Sequence, residues 1–334
     1  MGDPAGISAE VVVKAFAALA EDKQPLAREI RKRLRKECAN LTVVGDGGVL
    51  AHAAKRLRQP IPILLIEDFV TGWIPPTALL FLAHSQINMR RFRFGLPVYG
   101  REQLGYLDFA IEQARRRRIA AIVTGPVTKE AVAKVLPDFV GHTGYLAEKL
   151  GAREERMAFL TPEYLLALQT THIPLCKVSS QISAAGLVTS LKMLEKAARA
   201  RWGHSLPVAV LGLNPHAGEH GLMGDEEERL IIPAMKRARR LGIVCDGPFP
   251  ADSFFIERVK RYKLILAMYH DQGLIAVKPA FPRASVNVTL GLPVVRTSVD
   301  HGSGYDIAGK GVASELSLLY AIKAALELMA GRAG

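Results

Sequence analysis

Three apolar runs in this chain each end on a histidine: Leu165–His172 (LLALQTTH), Val208–His216 (VAVLGLNPH) and Leu264–His270 (LILAMYH). In open α/β sheets ligands collect at the carboxyl ends of strands. Imidazoles from His172, His216 and His270 delivered to one sheet edge would form a divalent-metal site with open positions for a substrate. Imidazole suits zinc, and residue type leaves manganese, cobalt, nickel and magnesium open. A single histidine at a strand end is more often structural. The threefold repetition, each time followed by a turn, favours a metal. Asp271, next to His270, is placed to orient that ring from behind.

Other residues suit anions. Gly141-His142-Thr143-Gly144 precedes a helical segment, and a free helix N-terminus offers N–H groups to a phosphate or carboxylate; as a plain alternative, Thr143 only caps the helix. Lys278, Asn287 and Arg296 lie in or beside a Gly/Pro-rich stretch. Arginine grips oxyanions bidentately, and a lysine supplies a point charge or, if burial depresses its pKa, a base. Thr124–Lys129 (TGPVTK) and the rigid turn Gly247–Asp252, with its Asp252 carboxylate, follow the same logic. Gly45-Asp46-Gly47-Gly48 lacks the third glycine of a dinucleotide-binding turn.

Positioning these residues calls for alternating strands and helices. Strands are expected at Leu41–Val44, Ile61–Ile66, Ile119–Thr124, Met157–Thr161, Leu165–Thr170, Val208–Leu213, Leu264–Met268 and Val294–Thr297. Helices are expected at Ala9–Ala20, Gln24–Ala39, Gly48–Leu57, Gly100–Arg117, Gly144–Leu150, Ala184–Arg201, Glu226–Leu241 and Ser314–Ala330. That rhythm indicates parallel-rich α/β architecture. Tyr269–Pro293 breaks it and is expected to be an irregular functional loop. The Gly2–Gly6 turn has no strand before it, which points to a missing first strand.

The 334 residues suit one large or two medium domains, and 49% hydrophobic with 23% charged residues is an ordinary globular balance. No apolar stretch is long enough to span a bilayer, and no signal peptide is visible. Cys38, Cys176 and Cys245 are odd in number and far apart, so burial as free thiols in a reducing cytoplasm is expected. The net charge of +12 concentrates at Arg28–Lys36 and Arg115–Arg118. Both stretches are helix-like, and a solvated helix face explains them better than nucleic-acid binding, for which no recognition motif is present.

The strings GDPAGI, TGPVTK, GHTG, TTHIP, LNPHAGE, GPFPADSFF, MYHDQG, VNVTLGLPVVRTSVDHG and DIAGKG run from Gly2 to Gly311. In identity and order they resemble the 4-hydroxythreonine-4-phosphate dehydrogenase (PdxA) family. The resemblance implies an α/β, isocitrate/isopropylmalate-dehydrogenase-like fold of two α/β/α subdomains with a cleft, approximately residues 1–118 with 285–334, and 119–284. It implies a homodimer whose active sites lie at the subunit interface, with metal ligands drawn from both chains. By motif match the ligands are His172, His216 and His270, and the substrate contacts are His142, Thr143, Lys278, Asn287 and Arg296. The implied reaction is NAD- or NADP-dependent oxidation of 4-phosphooxy-L-threonine, an anionic small molecule, followed by decarboxylation to 3-amino-2-oxopropyl phosphate. A metal held by neutral imidazoles would acidify the alcohol and polarise the ketone. Lys278, Asp252 and Asp271 are the candidate proton acceptors.

The chain departs from this family's pattern at Gly144, where many relatives carry Glu, at Pro279–Ser285, and at Ser303-Gly304-Tyr305. These changes keep open another hydroxy acid, such as threonate or erythronate 4-phosphate or a cis-dihydrodiol carboxylate. A metal-dependent hydrolase is the alternative from another class.

Overall fold

In a computed structural model of the chain, residues 1–59, 61–139 and 141–330 are described. Contacts divide the chain into two compact units: Met1–Ala152 with Leu292–Leu326, and Arg153–Gly291 with the residues from Glu327 onward. The end of the expected subdomain range, 331–334, lies outside the described residues. Elements are numbered along the chain.

The first unit opens with α1 (Ser8–Glu21), α2 (Pro25–Lys36), β1 (Thr42–Gly45), α3 (Gly47–Leu57), β2 (Ile63–Leu65) and β3 (Leu79–Ala83). It continues with α4 (Gly100–Arg115), β4 (Ala121–Thr124), α5 (Lys129–Ala133) and α6 (His142–Lys149), and returns at β11 (Val295–Ser298) and α12 (Leu316–Met329). Strands β1, β3 and β2 form a small parallel sheet with β3 in the centre, and β4 pairs in parallel with β11. Pro25 starts α2, where a missing N–H costs nothing. Only Ala27, Ile30 and Leu34 of α2 are buried, so its arginines and lysines form the solvated face expected. Asp46 caps α3 by accepting from Val49 N at 2.9 Å and also accepts from Ile87 N at 2.7 Å. A Cβ on Gly47 would meet the Phe81 ring at 2.6 Å, so this glycine serves packing within the protein.

The second unit contains β5 (Arg156–Leu160), β6 (Leu165–Leu168), α7 (Val178–Gln181), α8 (Ala184–Trp202), β7 (Val208–Leu211), α9 (Ile232–Arg240), β8 (Cys245–Phe249), α10 (Ala251–Glu257), β9 (Leu264–Ala267), α11 (His270–Ala280) and β10 (Val286–Leu290). Its strands run in the order β10-β5-β6-β9-β7-β8. The β6–β9, β9–β7 and β7–β8 pairs are parallel, while β5 is antiparallel to both β6 and β10. Every residue of β6, β7 and β9 is buried, which explains their unbroken apolar sequences. Leu166, Leu168, Ala209, Leu211, Ile265 and Ala267 pack with Phe254, Leu274 and Val277 of α10 and α11 on one face of this sheet.

Each expected strand and helix forms at or near its expected place, but Tyr269–Pro293 is not an irregular loop. It folds into α11 and β10. The polar HDQG start and Pro279 disguise the helix. Its apolar face, Leu274 and Val277, is nevertheless buried against the sheet, and packing outweighs the local turn signals. Strand β8 (CDGPF) was masked in the same way by Gly247-Pro248, which a strand on the margin of a sheet tolerates. Strand β3 and the short helices α5, α7 and α10 were also not anticipated. Of the three cysteines expected to be buried, only Cys245 is; Cys38 and Cys176 are exposed.

Candidate active-site residues

The two outer histidines of the sequence pattern come together. His172 follows β6 and His270 opens α11 immediately after β9, and these two strands are parallel neighbours. Their rings lie 5.6 Å apart, centroid to centroid. His270 Nδ1 is 2.7 Å from Asp271 Oδ1. With the proton on Nδ1 donated to that carboxylate, Nε2 is the nitrogen left to bind a cation. The contact that such a role for Asp271 requires is present.

His216 does not join them. It makes no ring contact with His172 or His270, and among the described residues no group of three His, Cys, Asp or Glu is arranged to hold a metal within one chain. His216, Ala217, Gly218, Glu219 and His220 all have positive φ, from 41° to 80°, so the chain after β7 winds through a left-handed turn. For non-glycine residues this conformation costs on the order of 1–2 kcal/mol each. Strain of this kind persists only where the surroundings impose it. His172 and His216 are both exposed, as are Asp252 on α10 and Lys278 on α11. Asn287 lies on β10 opposite Phe159 of β5.

The first unit holds the other expected contacts. His142 and Thr143 begin α6, preceded by Gly141 at φ 139°. Arg296 on β11 is buried, and its Nη2 donates to Thr124 Oγ1 on β4 at 2.8 Å. Burial, reinforced by the Arg296 charge, pushes the His142 pKa from 6.5 down to about 3. Burial also lowers the Arg296 pKa to about 10, still far above neutrality. At neutral pH the pair is therefore a neutral imidazole beside a permanent cation, at the start of a helix. That combination suits one anionic group. A Cβ on Gly141 would lie 3.4 Å from Lys129 Cε, so Lys129 also reaches this corner.

A further cluster joins three of the sequence motifs. Asp3 is fully buried; its Oδ1 accepts from Ala5 N at 2.9 Å, and its Oδ2 accepts from Thr128 Oγ1 at 2.6 Å and from the Tyr305 hydroxyl. Ser303 Oγ is 2.8 Å from Thr128 Oγ1. Burial, followed by the bond to Asp3, raises the Tyr305 pKa, so its hydroxyl keeps its proton. The Gly2–Gly6 turn, the Thr124–Lys129 motif and the Ser303-Gly304-Tyr305 departure were each legible in the sequence. Their mutual bonding was not, because nothing in their spacing announces it.

The arrangement defines a class first: an α/β protein with the isocitrate/isopropylmalate-dehydrogenase-like fold. A solved 4-hydroxythreonine-4-phosphate dehydrogenase from Klebsiella pneumoniae superposes with a TM-score of 0.83 at 30% identity, covering 98% of this chain and 96% of that one. The chain belongs to the PdxA family: the model described as pyridoxal phosphate biosynthetic protein PdxA matches residues 37–325. A 4-hydroxythreonine-4-phosphate dehydrogenase from Bacteroides thetaiotaomicron is 43% identical over 334 residues, covering 99% of this chain and 88% of its own. A chain from Oceanobacillus iheyensis named for D-threonate 4-phosphate dehydrogenase activity is 36% identical over 343 residues, covering 98% and 96%. Members of this family are oxidoreductases acting on a CH–OH group, so the hydrolase reading is not carried forward.

Proposed function

We propose that the chain oxidises the secondary alcohol of 4-hydroxythreonine 4-phosphate with NAD or NADP, and that the β-keto acid formed loses CO₂ to give 3-amino-2-oxopropyl phosphate for pyridoxal phosphate synthesis. The observation that carries this reading is the buried Arg296 beside a neutral His142 at the start of α6, in a chain 43% identical to a named enzyme of that activity. His142, Thr143 and Arg296 would hold one anionic end of the substrate. Lys278 and Asn287 are the remaining substrate contacts proposed by motif match.

His172 and His270 fit a divalent cation in donor type, and the Asp271 contact leaves His270 Nε2 for it. A divalent ion held there would supply Lewis-acid polarisation of the reacting hydroxyl, and a nicotinamide cofactor would supply the hydride acceptor. Asp271 orients His270, which leaves Lys278 and Asp252 as the proton acceptors to be separated by pH–rate profiles. We further propose that a second copy of the chain completes the site. Two observations support this: the third histidine stands apart within one chain, and segments near the candidate residues carry exposed apolar side chains, Leu175, Leu222, Ile256 and Ile275. Among the described residues no helix is long and apolar enough to cross a membrane, and a cytoplasmic enzyme is the reading adopted.

A panel of hydroxy acid phosphates, followed by nicotinamide absorbance with and without chelator, tests the proposal. Chelator-sensitive NAD or NADP reduction with 4-hydroxythreonine 4-phosphate is expected. Reduction only with D-threonate 4-phosphate, the substrate in the name of the 36% identical relative and one that Gly144 keeps open, would transfer the assignment to that substrate. No reduction with any hydroxy acid would refute it.

A further inference from the structure

We propose that Glu227 is a positioning residue that holds the left-handed turn bearing His216, through a carboxylate buried between the end of β7 and the turn itself. Glu227 is 2% exposed. Its Oε1 accepts from the backbone N–H groups of Leu213 and Asn214, at 2.7 and 2.8 Å. Its Oε2 accepts from Asn214 Nδ2 at 2.9 Å. A Cβ on Gly218 would meet Oε2 at 2.7 Å, so the carboxylate packs directly under the turn. No ion pair of the described residues includes Glu227. Its charge is met by N–H donors of Leu213 and Asn214, in the segment that leads from β7 into the turn.

The position also explains why a carboxylate stands here. Asn214 Nδ2 donates at the same time to Glu226 Oε2 at 2.7 Å, and Glu226 Oε1 accepts from Ser179 Oγ at 2.6 Å. One amide NH₂ is thus held between two acceptor-only groups. A glutamine at 227 would set its NH₂ against that of Asn214. Flipping Asn214 to relieve this would set its carbonyl against Glu226. Either arrangement leaves two like groups facing each other, and the turn must shift. His216 is exposed, so its direction depends on the backbone beneath it and not on packing of its ring.

The inference rests on the reading of His216 as a metal ligand, and the test separates the two. The full-length protein is stripped with chelator and titrated with Co²⁺, whose affinity and visible spectrum report the ligand set. His216→Ala must lower Co²⁺ affinity and change the spectrum; if it does neither, the ligand reading fails. Given that control, Glu227→Gln is expected to weaken Co²⁺ binding by about 10–100-fold, as loss of support behind a ligand does. The double variant Glu226→Gln/Glu227→Gln, with Asn214 flipped so that its carbonyl accepts from both new amides, is expected to recover most of that loss. Wild-type affinity in Glu227→Gln, or an equal loss in the double variant, would overturn the proposal. If the single variant does not fold, the double variant decides alone: a folded protein with a wild-type cobalt spectrum supports the role, and a folded protein without one refutes it.

Discussion

The rings of His172 and His270 lie 5.6 Å apart although they come from opposite ends of the second unit's sequence. Parallel pairing of β6 with β9 brings them together, and α11 begins at His270 itself. Because both rings sit at the surface end of the sheet and not in its core, they can be removed without emptying the interior. His172→Ala and His270→Ala are expected to melt within about 0.5 kcal/mol of the parent when metal-free. Each should lose more than roughly 100-fold in Zn²⁺ affinity, exceeding the loss from Asp271→Asn, which acts only from behind the ligand. Calorimetric Zn²⁺ titration checks this. Equal losses for Asp271→Asn and His270→Ala would show that the ring is not the ligand.

His142 predicts a pH dependence of stability. Its folded pKa of about 3 lies below the ordinary 6.5, so between these values the folded protein binds fewer protons than the unfolded chain. The stabilisation is complete above pH 6.5 and is lost as pH falls toward 3, on the order of 1 kcal/mol per pH unit. His142→Asn removes this proton. Its urea midpoint should fall less steeply than the parent's between pH 6.5 and 5, and parallel pH profiles would contradict a neutral His142 in the folded protein.

Gly100 opens α4 in tight contact with α5. A Cβ there would lie 1.9 Å from the Ala131 carbonyl oxygen. Gly100→Ala must push the two helices apart, and a loss of about 1–3 kcal/mol is expected from equilibrium urea unfolding. An unchanged midpoint would mean that the helices do not meet at this point.

Gln272 joins the ends of two central strands. Its Oε1 accepts from Met268 N at 2.7 Å, just after β9, and its Nε2 donates to the Gly212 carbonyl at 2.6 Å, just after β7. Gln272→Met keeps the volume and loses both bonds, at an expected cost of about 1–3 kcal/mol. Gln272→Glu keeps the acceptor for Met268. Hydrogen exchange at Met268 N should accelerate in the first variant and much less in the second; equal protection in both would remove Gln272 from this role.

Taken by itself, the sequence determined the alternation of strands and helices, and the placement of three histidines just beyond buried strands. Runs such as LLAL, VAVL and LILA are apolar throughout because both faces of the central strands are covered, and that requirement is written residue by residue. The anion-binding types were legible too, since His142, Thr143 and Arg296 can be named from chemistry before their positions are known. Tertiary structure alone decided who meets whom. The order β6-β9-β7 gives His270 its neighbour, and after β7 the chain carries His216 through a left-handed turn over Glu227, whose hydrogen bonds reach back to Leu213 and Asn214. Likewise α11 begins in residues that read as a turn, and it is a helix because Leu274 and Val277 have a sheet to cover. Local propensity acts over a few residues, whereas burial and hydrogen bonding between distant segments exist only once the chain has folded.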